Sequence, residues 1–187
     1  MSEYAERFIA HLVALYEKDA GAMAALRRSM AFEPGRYPVV YPYVESYIGR
    51  DWHERDPRRL ATYAVAGLYA RHPKHEARYT FAGAFGELMR RRTGDGRGGD
   101  GIQRRFVSLL NADPENVVDY LRQALSLMAA DAGGFDYVRL LDDLVKWMNP
   151  YPGRGEDRDR LRERWAREFY RAHEAEDNGV PTKINNA

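Results

Sequence analysis

The segment 136–148 reads DYVRLLDDLVKWM, and its pattern of apolar residues predicts a helix. Apolar side chains recur at three- and four-residue steps, the spacing that places them on one helical face. They are Leu140, Leu141, Leu144, Val145, Trp147 and Met148. Asp136 is a favoured N-cap residue, and Pro150 ends the pattern. Asp142 and Asp143 are adjacent and point about 100° apart on a helix, so we interpret them as a solvated edge.

The helical pattern continues on both sides of this segment. Towards the C terminus, a charged stretch from Glu156 to about Ala175 predicts a long helix. Its inward-facing residues are Leu161, Trp165 and Phe169. Towards the N terminus, Asp56-Pro57 and Asp113-Pro114 each place a capping residue before a proline, which is typical of a helix start. The remaining predicted helices are 4–18, 22–30, 57–71, 81–92, 102–110 and 114–130.

These segments predict an all-α fold of two packed helical bundles, with about eight to nine helices. The glycine-dense segment 94–101 predicts a flexible loop between an N-terminal helical lobe, 1–93, and a C-terminal helical lobe, 102–176. The polar segment 177–187 is predicted to be a disordered tail. Only the segment 39–44 resembles a strand, and its internal proline favours a short helix or connector instead.

The composition excludes several classes of function. The chain has 187 residues, of which 44% are hydrophobic and 30% charged, with a formal net charge of +1 and no cysteine. The lack of cysteine excludes disulfides, thiolate nucleophiles, and cysteine-ligated zinc or iron–sulfur clusters. No stretch reaches the roughly 18 consecutive apolar residues of a membrane-spanning helix. The acidic first residues also differ from the basic start of a secretory signal. We therefore expect a cytoplasmic protein that has no membrane partner.

Candidate catalytic groups are few. The segment 72–76 reads HPKHE; its proline keeps the two histidines off a common helical face, and its lysine would repel a cation. We interpret this segment as an exposed loop and His11 as a hydrogen-bonded helix histidine. The segment 94–101 lacks the Gly-Lys-Ser/Thr ending of a phosphate loop. We expect no metal, no cofactor and no enzymatic activity, the alternative being a small helical hydrolase that uses His72 or His75.

Arginine dominates the basic residues, since 25 of the 29 are arginine. Its planar group has several donors and suits phosphate. Pairs of adjacent arginines lie beside apolar stripes: Arg27-Arg28, Arg58-Arg59 and Arg104-Arg105. The pair at 58–59 lies in the first turn of a predicted helix, where a cation opposes the helix dipole. This placement favours a nearby phosphate or, alternatively, a salt bridge to Asp56 or Glu54. Such pairs on separate helices predict a groove that follows a phosphate backbone without reading bases.

Several segments together resemble a known family, CasB, the small subunit of the type I-E CRISPR Cascade complex. The matching segments are Ala24–Arg28, Arg104–Leu110, Tyr120–Arg122, Phe135–Trp147 and Trp165–Tyr170. Each is ordinary helical sequence by itself. They occur in the family's order and spacing, over roughly residues 3–171.

The resemblance implies an all-helical, non-catalytic protein without a cofactor. Its partners would be other Cascade subunits, a second copy of itself, guide RNA, target DNA and the displaced single-stranded DNA. It implies binding to the nucleic-acid backbone through Arg27, Arg28, Arg58, Arg104, Arg105, Arg122, Lys146 and Arg154. Gln123 departs from relatives that have a second arginine after Arg122. The alternative is a helical protein–protein adaptor whose arginines pair with acidic partners.

Overall fold

The computed structural model describes residues 3–96, 98–130, 133–151 and 155–174. Within these ranges the fold is all-α, with nine α-helices and no β-strand, which confirms the predicted fold class. The helices are α1 (Glu3–Lys18), α2 (Ala20–Ser29), α3 (Tyr41–Val44), α4 (Pro57–Arg71), α5 (Phe81–Gly94), α6 (Asp100–Leu110), α7 (Val117–Met128), α8 (Tyr137–Trp147) and α9 (Gly155–Glu174). The strand-like segment forms α3 and two flanking 3₁₀ turns, Pro38–Val40 and Glu45–Tyr47.

Side-chain caps begin helices α4, α5 and α8. Asp56, Thr80 and Asp136 each accept a hydrogen bond from a backbone N–H of the first turn, at 2.9, 3.1 and 2.9 Å. Such bonds satisfy donors that have no partner within the helix, and each stabilises its helix by about 1 kcal/mol. Pro57 follows Asp56 at the first position of α4. The predicted starts of α4, α5 and α8 are therefore confirmed.

Several predicted helix boundaries differ from the structure. The carbonyl oxygen of Asp113 accepts from the N–H groups of Asn116 and Val117 at 3.0 and 3.1 Å. Residues 113–116 therefore form a turn, and α7 begins later than predicted, at Val117. Helices α5 and α6 also extend into the predicted loop 94–101, because α5 ends at Gly94 and α6 begins at Asp100.

Helix packing joins the two halves of the chain. Helix α4 packs against α8, α5 packs against α9, and the buried apolar residues form one cluster. A Cβ atom on Gly86 of α5 would overlap the carbonyl oxygen of Phe169 in α9, so a side chain here would push the two helices apart. In α9 the predicted inward residues Leu161, Trp165 and Phe169 are all buried. The division into two lobes at 94–101 stays a prediction.

The interpretation of Asp143 as part of a solvated edge is wrong. Its carboxylate is buried, accepts from Trp165 Nε1 at 2.8 Å and forms a salt bridge with Arg164. Burial raises the pKa of Asp143 despite these partners. The helical pattern of α8 alone does not predict this burial, because it depends on α9 packing across the polar side of α8.

Helices α4 and α8 run antiparallel, and this arrangement positions the candidate site. The hydroxyl of Tyr137, at the start of α8, donates to the carbonyl oxygen of His72 at the end of α4, at 2.7 Å. At the opposite end, Lys146 of α8 lines a cavity together with Arg58 of α4. The two ends of α4 lie about 20 Å apart along the helix axis.

Candidate nucleic-acid interface

Arg58 forms a salt bridge with Asp56 and lies over the ring of Trp52. Its Nε and Nη2 donate to the two carboxylate oxygens of Asp56 at 3.0 and 2.7 Å, and its Cζ lies 4.6 Å from the Trp52 ring centroid. These bonds from Arg58 hold the pKa of Asp56 below its usual range. The sequence predicts Asp56 or Glu54 as the salt-bridge partner. In the structure Arg58 pairs with Asp56, whereas Glu54 pairs with Arg36 at 3.3 Å.

An open cavity of about 510 Å³ lies between the start of α4 and the outer face of α8. Its lining residues are Tyr4, Trp52, Arg58, Leu141, Asp142, Val145 and Lys146. We call it the Trp52 cavity. The hydroxyl of Tyr4 lies 2.6 Å from Thr62 Oγ1, whose own proton is donated to the carbonyl oxygen of Arg58 at 2.7 Å. Tyr4 therefore donates to Thr62, and these bonds fix one wall of the cavity. Burial raises the pKa of Tyr4 to about 12.

A second groove, about 300 Å³ in volume, shares Lys146 with the Trp52 cavity. Its lining residues are Lys146, Asp157, Arg160, Leu161, Arg164 and Arg167. We call this surface the basic groove. Lys146 and Arg167 are exposed and make no salt bridge with any residue that the structure describes. Arg160 pairs with the exposed Glu156 at 3.4 Å, which is a weak surface interaction.

The arginines of the basic groove are absent from the set predicted from the sequence. Helix α9 carries six arginines and six carboxylates, so its balanced total charge conceals a basic face. The spacing of Arg160, Arg164 and Arg167 is four residues and then three, which places them on one side of the helix. This periodicity is the signal that identifies them.

Two of the predicted residues, Arg27 and Arg122, lie near the other end of α4. Arg27 donates to a carbonyl oxygen in the last turn of α4 at 3.5 Å. Ser126 Oγ accepts from Arg71 at 2.9 Å and donates to the carbonyl oxygen of Arg122 at 2.8 Å. The guanidinium of Arg122 also pairs with Asp119 at 3.1 Å. Of the predicted residues, these contacts place Arg27 and Arg122 near Arg71, away from Arg58 and Lys146.

Arg28, Arg104 and Arg105 do not line the basic groove. Arg28 and Arg104 are exposed, and neither makes a salt bridge within the described ranges. Arg105 is exposed and donates to the carbonyl oxygen of Gly101 at 3.0 Å. Arg154 lies outside the residues that the structure describes. Among the predicted residues that the structure describes, Arg58 and Lys146 are thus the two that share one cavity.

The interpretation of 72–76 as an exposed loop is wrong for His72, which is only 2% exposed. Its ring stacks on Phe135 with the centroids 5.7 Å apart, and burial lowers its pKa. His75 Nδ1 accepts from the backbone N–H of Tyr137 at 3.2 Å. Both histidines therefore join the end of α4 to the start of α8. A hydrogen-bond role that depends on a distant segment leaves no periodic signal in the sequence.

His11 is hydrogen-bonded as predicted, since its Nε2 lies 2.9 Å from the carbonyl oxygen of Tyr43. The structure places no group of three or more histidine, aspartate or glutamate residues for metal binding in the ranges that it describes. None of the helices in those same ranges is both long and apolar enough to cross a bilayer.

The fold and the site define an all-α protein with an arginine- and lysine-lined groove. A family model described as CRISPR-associated protein Cse2 matches residues 22–170. The chain is also 39% identical over 176 residues to the CRISPR-associated protein Cse2 of Thermus thermophilus, which covers 92% of this chain and 93% of the relative. The chain belongs to the Cse2/CasB family of CRISPR-associated proteins, the family of the type I-E Cascade small subunit.

Solved structures agree with this membership. The crystal structure of CasB from T. thermophilus has a TM-score of 0.72 and 39% identity, and the match covers 91% of this chain and 99% of that one. CasB from M. ruber also has a TM-score of 0.72, with 27% identity and coverage of 94% and 97%. A chain of a CRISPR RNA-guided surveillance complex has the same fold, with a TM-score of 0.71, 20% identity and coverage of 92% and 95%. The family resemblance predicted from the sequence is confirmed.

Proposed function

We propose that the chain is a non-catalytic small subunit of a type I-E CRISPR surveillance complex and binds nucleic-acid backbone without sequence preference. The observation that carries this proposal is the basic groove, where Lys146, Arg160, Arg164 and Arg167 line one surface. Four cations face one carboxylate of the lining, Asp157. Such a surface attracts a phosphate backbone, and a contact to phosphate carries no sequence information directly.

The groove contains cations of two kinds. Arg164 is tied to Asp143 and Glu168, so it shapes the groove more than it adds charge. Lys146 and Arg167 make no salt bridge among the described residues, so a phosphate would compete with water rather than with a carboxylate for them. We therefore expect Lys146 and Arg167 to contribute the most to binding.

In the assembled complex, these contacts would stabilise the guide RNA–target DNA duplex and the displaced DNA strand. Opening a DNA duplex while forming an RNA–DNA duplex is nearly balanced in free energy, so contacts to the backbone can decide the outcome. A second copy of the chain and other Cascade subunits would extend the path. Arg28, Arg104 and Arg105 are exposed and could meet other stretches of the strands. Arg58 and Arg122 would add less charge, because carboxylates already pair with them.

The salt dependence of single-stranded DNA binding tests the proposal. The test variant is Lys146→Ala/Arg167→Ala, and the matched control is Arg78→Ala/Arg139→Ala, which removes the same charge near Tyr79. Each phosphate contact on a single strand contributes about −0.7 to the slope of log K against log salt. We expect the test variant to flatten the slope by about 1.4, and the control to leave it unchanged.

Fluorescence anisotropy of a labelled oligonucleotide at several salt concentrations measures both slopes. Equal slopes for the wild type and the test variant would contradict the proposal. Circular dichroism melting of all three proteins checks that the variants are folded. Co-purification of the tagged chain with guide RNA and the other subunits, where both are co-expressed, tests its membership of the complex.

A second function is favoured by one group of contacts. Several arginines already pair with carboxylates of the same chain: Arg58 with Asp56, Arg59 with Glu45, Arg122 with Asp119 and Arg139 with Asp136. This pattern suits a helical adaptor whose arginines serve ion pairs within the chain or with acidic partner proteins. The adaptor function predicts partner binding that survives nuclease treatment, together with no anisotropy change on adding oligonucleotide.

A further inference from the structure

We propose that the Trp52 cavity binds one unpaired nucleobase of the strand held in the basic groove. This inference rests on the proposed function, because the groove must first bring a strand to the cavity. The base would stack on the guanidinium of Arg58, which itself lies on the ring of Trp52. The chain would then hold both the backbone and a base of the bound strand.

The first argument is the fixed orientation of Arg58. Its two bonds to Asp56, at 3.0 and 2.7 Å, occupy one edge of the guanidinium, and Trp52 covers one face at 4.6 Å. The Arg58 side chain is still 47% exposed and lines the cavity. Guanidinium planes and aromatic rings are the usual stacking surfaces for unpaired bases. Because Asp56 offsets its charge, Arg58 suits a flat, neutral base better than a phosphate.

The second argument is the chemistry of the cavity walls. Leu141, Val145 and the ring of Tyr4 make the walls largely apolar, with Asp142 and Lys146 as polar groups among the lining. A volume of about 510 Å³ lies within the range of pockets that bind small organic groups. Apolar walls with a few polar groups favour the flat face of a base over a hydrated phosphate.

The third argument is the position of Lys146, which lines both the Trp52 cavity and the basic groove. A strand whose phosphates lie along Arg160 and Arg167 therefore passes the mouth of the cavity at Lys146. A base next to that phosphate is the nearest apolar group that could enter. This continuity selects a nucleobase, rather than a peptide side chain, as the occupant.

Binding of an abasic strand by the unmodified protein tests the inference. Two single-stranded 12-mers have the same number of phosphates, but one has abasic sites at its six central positions. Stacking of one base is worth about 1–3 kcal/mol, so we expect binding of the abasic strand to be about 5- to 150-fold weaker with an unchanged salt slope. Equal affinity for both strands would overturn the inference. If neither strand binds, the proposed function itself fails, so the two failures are distinguishable.

Tryptophan fluorescence gives a local readout of the same event. Of the three tryptophans, Trp147 and Trp165 are 0% and 1% exposed, so Trp52 is the tryptophan that a ligand can reach. We expect the normal strand to quench the fluorescence and the abasic strand to quench it much less. The change should disappear in Trp52→Phe. Quenching that is equal for the two strands, or that persists in this variant, would contradict a base in the cavity.

A substitution of the stacking group completes the test. Arg58→Lys keeps the charge but removes the plane, so it should bring the affinities for the two strands to within about twofold of each other. The matched control, Arg78→Lys, changes an arginine that lies 5.2 Å over Tyr79 and should keep the full difference. The test is run with deoxy and ribo 12-mers separately, and a base-dependent affinity in either one supports the inference.

Discussion

Two arginine–aromatic pairs lie near opposite ends of α4, and only one of them adjoins a basic surface. Arg58 lies 4.6 Å over Trp52, and Arg78 lies 5.2 Å over Tyr79. Beside the first pair is the Trp52 cavity, which continues through Lys146 into the basic groove. Beside the second pair is a smaller cavity of about 210 Å³, which we call the Tyr79 cavity. It is lined by Glu76, Tyr79, Ala84, Glu87, Arg91, Gly133 and Gly134.

The difference between the cavities lies in their surroundings rather than in the arginine. In the lining of the Tyr79 cavity the carboxylates of Glu76 and Glu87 outnumber Arg91, which disfavours a phosphate. In the lining of the Trp52 cavity Arg58 and Lys146 outnumber Asp142, which favours one. Behind the Tyr79 cavity, His72 and Phe135 close the interior with stacked rings. We infer that the region around His72 and the Tyr79 cavity stabilises the fold and that the region around the Trp52 cavity binds the nucleic-acid strand. The following predictions test that division.

Phe135→Ala should produce the largest loss of stability. Phe135 is 0% exposed and contacts His72, Phe81 and Tyr137, with centroid distances of 5.7, 5.4 and 4.2 Å. Removing a buried phenyl ring costs about 3–5 kcal/mol, or a drop in Tm of roughly 6–20 °C for a chain of this size. Thermal melting monitored by circular dichroism measures this drop in Tm. Oligonucleotide affinity, measured well below the Tm, should be unchanged. A parallel loss of affinity would contradict the separation of stability and binding between the two regions.

Tyr137→Phe should cost about 0.5–1.5 kcal/mol, because it removes one of the two hydrogen bonds to the carbonyl oxygen of His72, which keeps the bond from the backbone N–H of Lys74 at 2.8 Å. The Tyr137 hydroxyl donates to the carbonyl oxygen of His72 at 2.7 Å, and it is fully buried. Urea unfolding of both proteins measures the difference as a shift of the midpoint at constant m-value. Trp52→Phe, which keeps an aromatic ring at the exposed cavity, is the control and should lose less than half as much. A larger loss for Trp52→Phe would reverse the assignment of stability to the His72 region.

The buried His72 should make the fold sensitive to mild acid. Burial lowers its pKa below the ordinary value of 6.5, so the unfolded chain binds a proton more readily than the folded chain. Stability is therefore present above about pH 6.5 and is lost as the pH falls below it, by at most about 1.4 kcal/mol per pH unit. Urea midpoints from pH 7.5 to 5 should fall in the wild type and fall less in His72→Gln. Identical pH profiles would contradict a neutral, buried His72.

Glu45, which lies on the Arg58 side of the fold, should contribute to stability in a lower pH range than His72 and by a smaller amount. Its carboxylate accepts two bonds from Arg59, at 2.6 and 3.1 Å, and one from Tyr63 at 2.6 Å. The hydrogen bonds from Arg59 lower its pKa from the ordinary value of 4.5, so its contribution is present above that pH and is lost as the pH falls further. Since the pair is partly exposed, we expect Glu45→Gln to cost about 1 kcal/mol or less at pH 7. Urea unfolding should show the difference between Glu45→Gln and the wild type shrinking as the pH falls below 4.5.

Much of the fold follows from local sequence rules. The caps at Asp56, Thr80 and Asp136 and the apolar steps of α8 and α9 each depend on residues a few positions apart. Such rules predict helices well because the backbone bonds and caps are local. The start of α7 is an exception, since the turn at Asp113 precedes the helix with a similar bonding pattern.

The site was less predictable, because it depends on which helices meet. Arg58 and Lys146 were both predicted, but their shared cavity exists only because α4 and α8 are antiparallel. The burial of Asp143 and His72 likewise depends on neighbours distant in sequence. The arginine spacing in α9 marks a helical face, but the sequence alone does not place that face beside Lys146.

Photo-cross-linking tests the central claim most directly, because it shows which aromatic residue the strand contacts. A single strand containing 5-bromodeoxyuridine is bound to the full chain and irradiated, and the modified peptides are identified by mass spectrometry. Tyr79, which is 38% exposed, is an internal control because it also has an arginine above its ring. We predict adducts on Trp52 or Tyr4 and none on Tyr79. Adducts on Tyr79 without any on Trp52 or Tyr4 would contradict the account.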